Sequence, residues 1–568
     1  MDDVNKRSYF SLFYLTLFMI IVFVNCGSKP DKTTKIFKNS SDLNDGVSVQ
    51  LEDLLSNVGD TAKTTASKTK LYNPFSVKAY YAVNKYNPVF TSNMKFTPAA
   101  VAFKQFINKD CKYFGLFPKA YHSAKINTLY KQLESDSTAK FNAEEWAKAE
   151  AYFCDAFFQA VKHVKNGRLY TDTNFRFLDT SLTKNAFEPT IASYIKTPEK
   201  LASLLEPFEP NFLDYDSLKM ALKPIVDENS EGKSYSMLVY PFTDSVKFVK
   251  TLINRIKEEG LGQTLGDKTD SVTLVKAINE YQTKYAITLT GKYSKDLVAS
   301  MNTKTDEKFA KVALAMDKFK DIKIAHNGAY VLVNIPAYYL RAYKDAAMAV
   351  ESKVAVGKTS TKTPVMESEI SDIVIMPNWY VPPSILKQPG YIERHRGRSN
   401  YIVRGNTVIQ KGGPGNALGE MKFNFKSGDA IYLHDTNDRG AFGSSYRAVS
   451  HGCVRVQRYI ALASFISSVS TISEKDYKKV VNKMKIDSIK GDTSYTYKYV
   501  LSDSVGYTTD TIPGMVRRKA HRDLVVDKKV PIYIKYFTAA ARNGNIIIYN
   551  DIYGIDKALL SKYFGDYL

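Results

Sequence analysis

The spacing of apolar residues changes near residue 328, and that change divides the chain. From Leu71 to about Ile225 apolar positions recur at helical intervals. Glu144–Val164 (EEWAKAEAYFCDAFFQAVKHV) is the longest such run, and Gly167 follows as a stop. Leu201–Leu205 and Leu218–Ile225 continue the pattern. Two further helical stretches, VKFVKTLINRIKEEG and VTLVKAINEYQTKYAITLTGKYSKDLVASMN, lie between about Ser245 and Asn302. After His326-Asn327-Gly328 the pattern alternates and is rich in Val, Ile and Tyr, with a turn at Lys344-Asp345-Ala346. This predicts antiparallel strands. Ile373–Met376, Tyr401–Val403, Ala430–Leu433, Val530–Phe537 and Asn545–Tyr549 read as further strands. The polar stretch from about Ser473 to Arg522 reads as an insertion between them. The expectation is a multi-domain α+β protein, helical in its first half and mostly β in its second.

Before the first helical region, Lys6 and Arg7 precede an apolar run over Ser8–Val24 that is too short for a stable span. Residues 1–25 therefore read as a secretory signal. Phe23-Val24-Asn25-Cys26-Gly27-Ser28 resembles a bacterial lipoprotein signal, in which Cys26 becomes the lipidated N-terminus. Asn25 departs from the usual small residue, and the alternative is an uncleaved anchor. Residues 26–70, rich in Lys, Ser, Thr and Asp and broken only by Val47–Leu55, read as a tether. Either way the chain is expected to be exported to the periplasm and held at a membrane.

Composition narrows the classes. A chain of 568 residues is long enough for several domains, and 44% hydrophobic residues exclude disorder throughout. No internal apolar run reaches the length of a spanning helix, which excludes a polytopic membrane protein. Four cysteines are too few for a disulfide scaffold. Cys111 and Cys154 fall in helical segments, and spacing leaves a disulfide and two free thiols equally open. The formal charge is +21, from 79 Lys and Arg against 58 Asp and Glu. The lysines are dispersed and no nucleic-acid motif accompanies them, so nucleic acid is not an expected partner.

Candidate chemistry concentrates in Ile431–Arg458, IYLHDTNDRGAFGSSYRAVSHGCVRVQR. A thiol nucleophile at neutral pH needs a nearby base or positive potential. His434, closing a predicted strand, is such a base for Cys453. Gly452 permits a tight turn that would aim amides near Cys453 at a developing oxyanion. A third group must orient the imidazole, and for the adjacent Asp435 the backbone carbonyl is more reachable than the carboxylate. A metal site from His434, Asp435, His451 and Cys453 lacks the usual ligand spacing, so neither metal nor other cofactor is expected. GGPGNALG at 412–419 lacks the Gly-Lys-Ser/Thr ending of a phosphate loop. His122 and His163 read as surface or partly packed residues.

The spacing from His434 to Ser450-His451-Gly452-Cys453-Val454-Arg455 resembles the signature of the L,D-transpeptidases of YkuD type. The likeness extends to Gly357-Lys358 with Thr363-Pro364, to Asn378-Trp379-Tyr380-Val381-Pro382-Pro383-Ser384-Ile385, and to Gly413-Pro414-Gly415-Asn416-Ala417-Leu418-Gly419. It continues through Tyr432-Leu433-His434-Asp435-Thr436, Val530-Pro531-Ile532-Tyr533 and Asp551-Ile552-Tyr553-Gly554. Together these are similar to the large YcbB-like branch. The resemblance implies a helical scaffold domain over 71–235 and a mostly β catalytic domain over 326–568, with a lid at about 386–412 carrying Arg394, His395, Arg396 and Arg398. Tyr281-Gln282, Ile287-Thr288, Gly291 and Leu297 to Asn302 resemble a peptidoglycan-binding module, placed at 240–303; the alternative is a helical spacer.

It further implies that Cys453 attacks the third residue of a peptidoglycan stem peptide, expels the terminal D-Ala and forms a thioester. An amine of a second, acceptor stem then resolves it into a 3→3 cross-link. His434 would be base and then acid, and amides at Gly452 and Cys453 the oxyanion hole. His451 and Asp435 would belong to the architecture, and Arg455 and Ser450 to substrate contact. Acylation by carbapenem-type inhibitors is implied as well. Resolution by water would instead make an L,D-carboxypeptidase or endopeptidase. A non-catalytic wall-tethering lipoprotein would have no use for His434 and Cys453 together.

Overall fold

The structure is a computed structural model, and it describes residues 36–56, 58, 69–169, 179–227, 235–427, 431–470, 497–500, 507–510 and 522–565, apart from positions 38, 267, 286, 288 and 414. The signal segment, Cys26 and most of the 473–522 stretch lie outside the described residues. Two compact units result. The first comprises the chain to residue 112 with 116–165 and 171–209; the second comprises 113–115, 166–170 and everything from Pro210 onward.

The first unit is helical and organised by Ala143–Asn166, whose residues are buried on almost every side. Acidic Glu144 and Glu145 suit its N-terminal turn, and Gly167 ends it at a φ of +72°. Two carboxylates inside this helix collect donors from the preceding chain. Glu150, fully buried, accepts from the Phe90 amide at 2.9 Å, the Tyr81 hydroxyl at 2.7 Å and the Thr91 hydroxyl at 2.9 Å. Asp155 accepts from the amides of Tyr72 and Asn73, each at 2.7 Å, and from His122 Nε2 at 2.7 Å. A buried carboxylate is tolerated when its lone pairs are filled in this way. His122 and His163 are therefore not surface residues: both are buried, and His163 Nδ1 pairs with the Tyr121 hydroxyl at 2.9 Å. Cys111 and Cys154 are both buried and do not form a disulfide.

The tether reading fails over part of its length. Ser40–Ser56 is a helix packed against the helix Pro74–Val83. Leu43, Val47, Leu51 and Leu55 recur every fourth residue and are buried on one side. Polar residues and Gly46 between them dilute the signal in the sequence.

In the second unit, helices Ser245–Glu258, Ser271–Lys284 and Lys295–Asn302 enclose a small core around Leu252, Ile256, Tyr281 and Leu297. Asp244, Asp270 and Ser294 cap them. Gln282 is buried, accepts from the amides of Thr290 at 2.9 Å and Gly291 at 3.1 Å, and donates to the Lys292 carbonyl at 3.1 Å. Asn302 exchanges hydrogen bonds with the Leu238 backbone. These residues thus hold the module together internally.

The helix Thr305–Lys320 leads into a nine-stranded sheet. Its strands are β1 (Ala329–Asn334), β2 (Tyr339–Lys344), β3 (Ala347–Gly357), β4 (Met366–Ile375), β5 (Met421–Phe425), β6 (Leu433–His434), β7 (Ala448–Ser450), β8 (Val454–Val456) and β9 (Arg522–Lys535). They lie in the order β7-β3-β8-β6-β5-β4-β9-β1-β2, and pairing of β2 with β3 closes eight of them into a ring. Alternate residues, among them Val331, Leu340, Val354, Ile373, Phe423, Leu433, Val454 and Ile532, form its core with Leu462 and Ile466 of the helix Tyr459–Val469. β9 begins at Arg522 rather than Val530, with a register shift between Val525 and Val530. The expected insertion is described only as a hairpin of 497–500 with 507–510.

The segment expected as a lid folds as a small layer. Trp379–Tyr380, Tyr401–Arg404 and Thr407–Gln410 pair in a three-stranded sheet. Val381, Tyr391 and Val408 form its own core. Among the described residues no helix is long and apolar enough to cross a membrane.

Leu51→Ala should remove a fully buried side chain and cost about 2–5 kcal/mol. Hydrogen exchange over residues 40–56 checks this; protection unchanged from the parent would mean that the segment is a tether after all.

Candidate active site

Cys453 and His434 are brought together by a parallel strand pair. β6 and β8 run side by side, with Leu433 opposite Val454 and His434 opposite Arg455. Antiparallel β5 lies on the other flank of β6, with Lys422 opposite His434 and Phe423 opposite Leu433. Phe423, Leu433 and Val454 point into the core, so the pleat turns Lys422, His434 and Arg455 to the opposite face. Tyr432 and Cys453 immediately precede the two strands, and Cys453 is partly buried against the edge of the core. The Val454 amide donates to the Tyr432 carbonyl at 3.2 Å. The Tyr432 side chain also hydrogen-bonds the Cys453 thiol and stands edge-on to the His434 ring, 5.6 Å between centroids.

The turn before Cys453 is held from several sides. Gly452 has a φ of +120°, which side chains rarely adopt. Ser450 Oγ donates to the Cys453 carbonyl at 2.6 Å and accepts from the Gly452 amide at 3.1 Å. Thr363 donates to the Gly452 carbonyl at 2.7 Å and accepts from the Gly357 amide at 2.8 Å. The Tyr553 hydroxyl bridges the Gly357 carbonyl and the Thr363 amide. Thr361 donates to the Ser450 carbonyl at 3.0 Å.

Ser450 is buried and its hydroxyl is committed to the turn, where it also engages the Gly452 amide. Thr363 and Tyr553 stand in the motifs quoted above, yet a hydroxyl distant in sequence carries no mark of which carbonyl it reaches. Thr361 lies outside those motifs.

Asp435 divides its groups between two tasks. Its carbonyl accepts from His434 Nδ1, which puts the ring proton on Nδ1 and leaves Nε2 basic. Its carboxylate accepts from the Glu420 amide at 3.0 Å and from Arg439 at 2.6 Å. A Cβ on Gly419 would lie 2.2 Å from Asp435 Oδ2, so the GPGNALG turn can approach only because that position is glycine. Burial pushes the Asp435 carboxyl up to about 6, against the lowering pull of its donors.

His434 is buried, and this holds its pKa down to about 3. The Asp435 carbonyl opposes that shift, while the charges of Arg455 and Lys422 reinforce it. Burial pushes the Cys453 thiol up, with the Tyr432 contacts and Lys422 acting the other way. The resting pair at neutral pH is consequently a neutral imidazole and a protonated thiol. His451 is exposed; partial burial, then the charges of Lys358 and Arg455, lower its pKa. Arg455 pairs with Asp438 at 3.1 Å on the rim. Among the described residues no group of three or more His, Cys, Asp or Glu side chains could hold a metal. A neutral base beside a thiol, on a rigid sheet, suits acyl transfer through sulfur.

Two segments of the chain match known family models. Residues 328–486 match the family model of the L,D-transpeptidase catalytic domain, YkuD, and residues 76–222 match the Scaffold domain. The chain is 32% identical over 278 residues to a candidate L,D-transpeptidase of Haemophilus influenzae, a match covering 44% of this chain and 48% of that protein. The chain thus spans about half the length of the curated relative it matches. It is also similar to an L,D-transpeptidase from Mycobacterium smegmatis, at 14% identity and a TM-score of 0.17 over 26% of this chain and 58% of that one. A third likeness is to L,D-transpeptidase 1 of Mycobacterium tuberculosis, at 14% identity and a TM-score of 0.15 over 25% and 56%.

Because burial keeps the thiol protonated, alkylation of Cys453 by iodoacetamide should accelerate about tenfold per pH unit from about pH 6 to about pH 9. Quantified by intact mass, a plateau below about pH 7 would instead reveal a preformed thiolate–imidazolium pair. Gly419→Ala should force Asp435 aside at a φ of +63° and cost about 1–3 kcal/mol, read from denaturant midpoints.

Proposed function

With an L,D-transpeptidase catalytic domain at 328–486 and a scaffold domain at 76–222, we propose that the chain forms 3→3 cross-links in peptidoglycan through a thioester on Cys453. The observation that carries this is the β6–β8 pairing, which sets His434 opposite Arg455, two residues beyond Cys453, with the Tyr432 side chain against both Cys453 and His434 and with His434 Nδ1 bound to the Asp435 carbonyl. On arrival of a donor tetrapeptide, His434 Nε2 takes the thiol proton as sulfur attacks the carbonyl carbon of the third residue. The imidazolium then returns that proton to the amine of the departing D-Ala as the C–N bond breaks. The side-chain amine of an acceptor stem attacks the thioester, loses its proton to His434 and regenerates the thiol.

A buried neutral histidine fits this cycle, since it must accept a proton and release it within each half-reaction. Carbapenem-type inhibitors would acylate the same sulfur. Export with lipid attachment at Cys26 would set the enzyme beside its polymer substrate, and loss of palmitate labelling in Cys26→Ala checks that part.

The test is the product spectrum from tetrapeptide wall fragments. Wild type should yield 3→3 dimers, with Cys453→Ala and His434→Ala reduced by about 10³-fold or more. Cysteine-dependent tripeptides without dimers would indicate hydrolysis, and products unaffected by Cys453→Ala would exclude the proposal.

A further inference from the structure

The register of three adjacent strands places two cations on either side of His434. Lys422 lies directly across the β5–β6 pair from it, and Arg455 directly across the β6–β8 pair. All three side chains leave the same sheet face, so the Cα atoms of Lys422 and Arg455 stand two strand spacings, about 10 Å, apart. The two side chains turn to different neighbours in this structure.

Each also has an orientation. Lys422 Nζ sits 4.1 Å from the centre of the Tyr432 ring, which directs it along the sheet toward Cys453. Arg455 leans the other way, to Asp438 at 3.1 Å; the Asp438 side chain is 62% exposed. An ion pair that open to water contributes little, about 0–1 kcal/mol, so an arriving carboxylate can displace or share it.

We propose that Lys422 and Arg455 form a carboxylate-binding pair that positions the donor peptide over Cys453. This rests on the reading of the domain as an L,D-transpeptidase. A stem tetrapeptide offers two carboxylates near the scissile bond: that of the terminal residue, and, where the third residue is a diamino diacid, the one on its side chain. Arg455 supplies a planar, bidentate partner and Lys422 a point charge, a combination suited to one carboxylate held from two sides.

Binding can be separated from turnover by working in full-length Cys453→Ala, with four synthetic tetrapeptides and calorimetry. One peptide keeps both carboxylates, one has the terminal carboxylate amidated, one the side-chain carboxylate, and one both. Adding Lys422→Gln should raise Kd at least tenfold for peptides that keep the recognised carboxylate and less than twofold for those that lack it. Lys422→Arg should recover most of the loss, which also checks that the site is intact. The single amidation that abolishes the Lys422 effect identifies the carboxylate. Equal weakening of all four peptides, no weakening, or no binding to Cys453→Ala would overturn the proposal. Cross-linking by the wild type with flat Kd ratios would leave the transpeptidase reading standing without this pair. The expected ratios without cross-linking would do the reverse.

Discussion

The parallel pairing of β6 with β8 is the constraint on which the site depends. Parallel neighbours cannot be joined by a tight hairpin, so the chain must leave β6 and return by a crossover before Cys453 can lie beside it. Here the crossover includes β7, which pairs with β3 and brings Ser450 to the start of the Gly452 turn. The barrel around this pair fixes its register, because slipping β8 by one residue would turn Val454 and Val456 outward and bury Arg455. The thiol is thus positioned by the hydrophobic pattern of its neighbours as much as by its own contacts.

Rigidity around the thiol comes from backbone groups held by side chains, both neighbouring and distant in sequence. Ser450, Thr361 and Thr363 between them hold the carbonyls of Cys453, Ser450 and Gly452. Asp435 gives its carbonyl to the imidazole and its carboxylate to the Gly419–Glu420 turn and Arg439. The helical unit uses the same chemistry for a different end. There Glu150 and Asp155 gather backbone donors that would otherwise be buried without partners. In each case a carboxylate substitutes for regular pairing where the backbone is irregular.

Much of this is legible in the sequence, and the parts that are not have physical reasons. The helix around Glu144–Val164 announces itself by uninterrupted apolar spacing. His434 and Cys453 are marked by residue type within a recognisable string, and reach alone favours the Asp435 carbonyl over its carboxylate. What stays hidden are side-chain partners and packed faces that residue type and spacing do not reveal. His122 and His163 look like surface residues until Asp155 and Tyr121 supply partners. Ser450 looks available to substrate until its hydroxyl is found between Cys453 and Gly452. The helix over Ser40–Ser56 is invisible because only four of its apolar positions are packed and polar residues surround them. Lys422 carries no signal in sequence, since its place opposite His434 follows from strand register alone.

That register also explains an apparent contradiction in the electrostatics. A general base is most effective with a pKa near the working pH, yet burial, reinforced by the charges of Arg455 and Lys422, holds His434 far lower. This keeps the imidazole neutral, with its Nδ1 proton on the Asp435 carbonyl. An anion seated between Lys422 and Arg455 would offset the smaller, charge-based part of the lowering and leave the part due to burial. A resting thiolate would be exposed to oxidants and to water-borne electrophiles in the compartment proposed for this chain. Keeping thiol and imidazole neutral at rest limits that exposure, and burial of the two side chains does more of it than the charges that the sheet places on either side of the histidine.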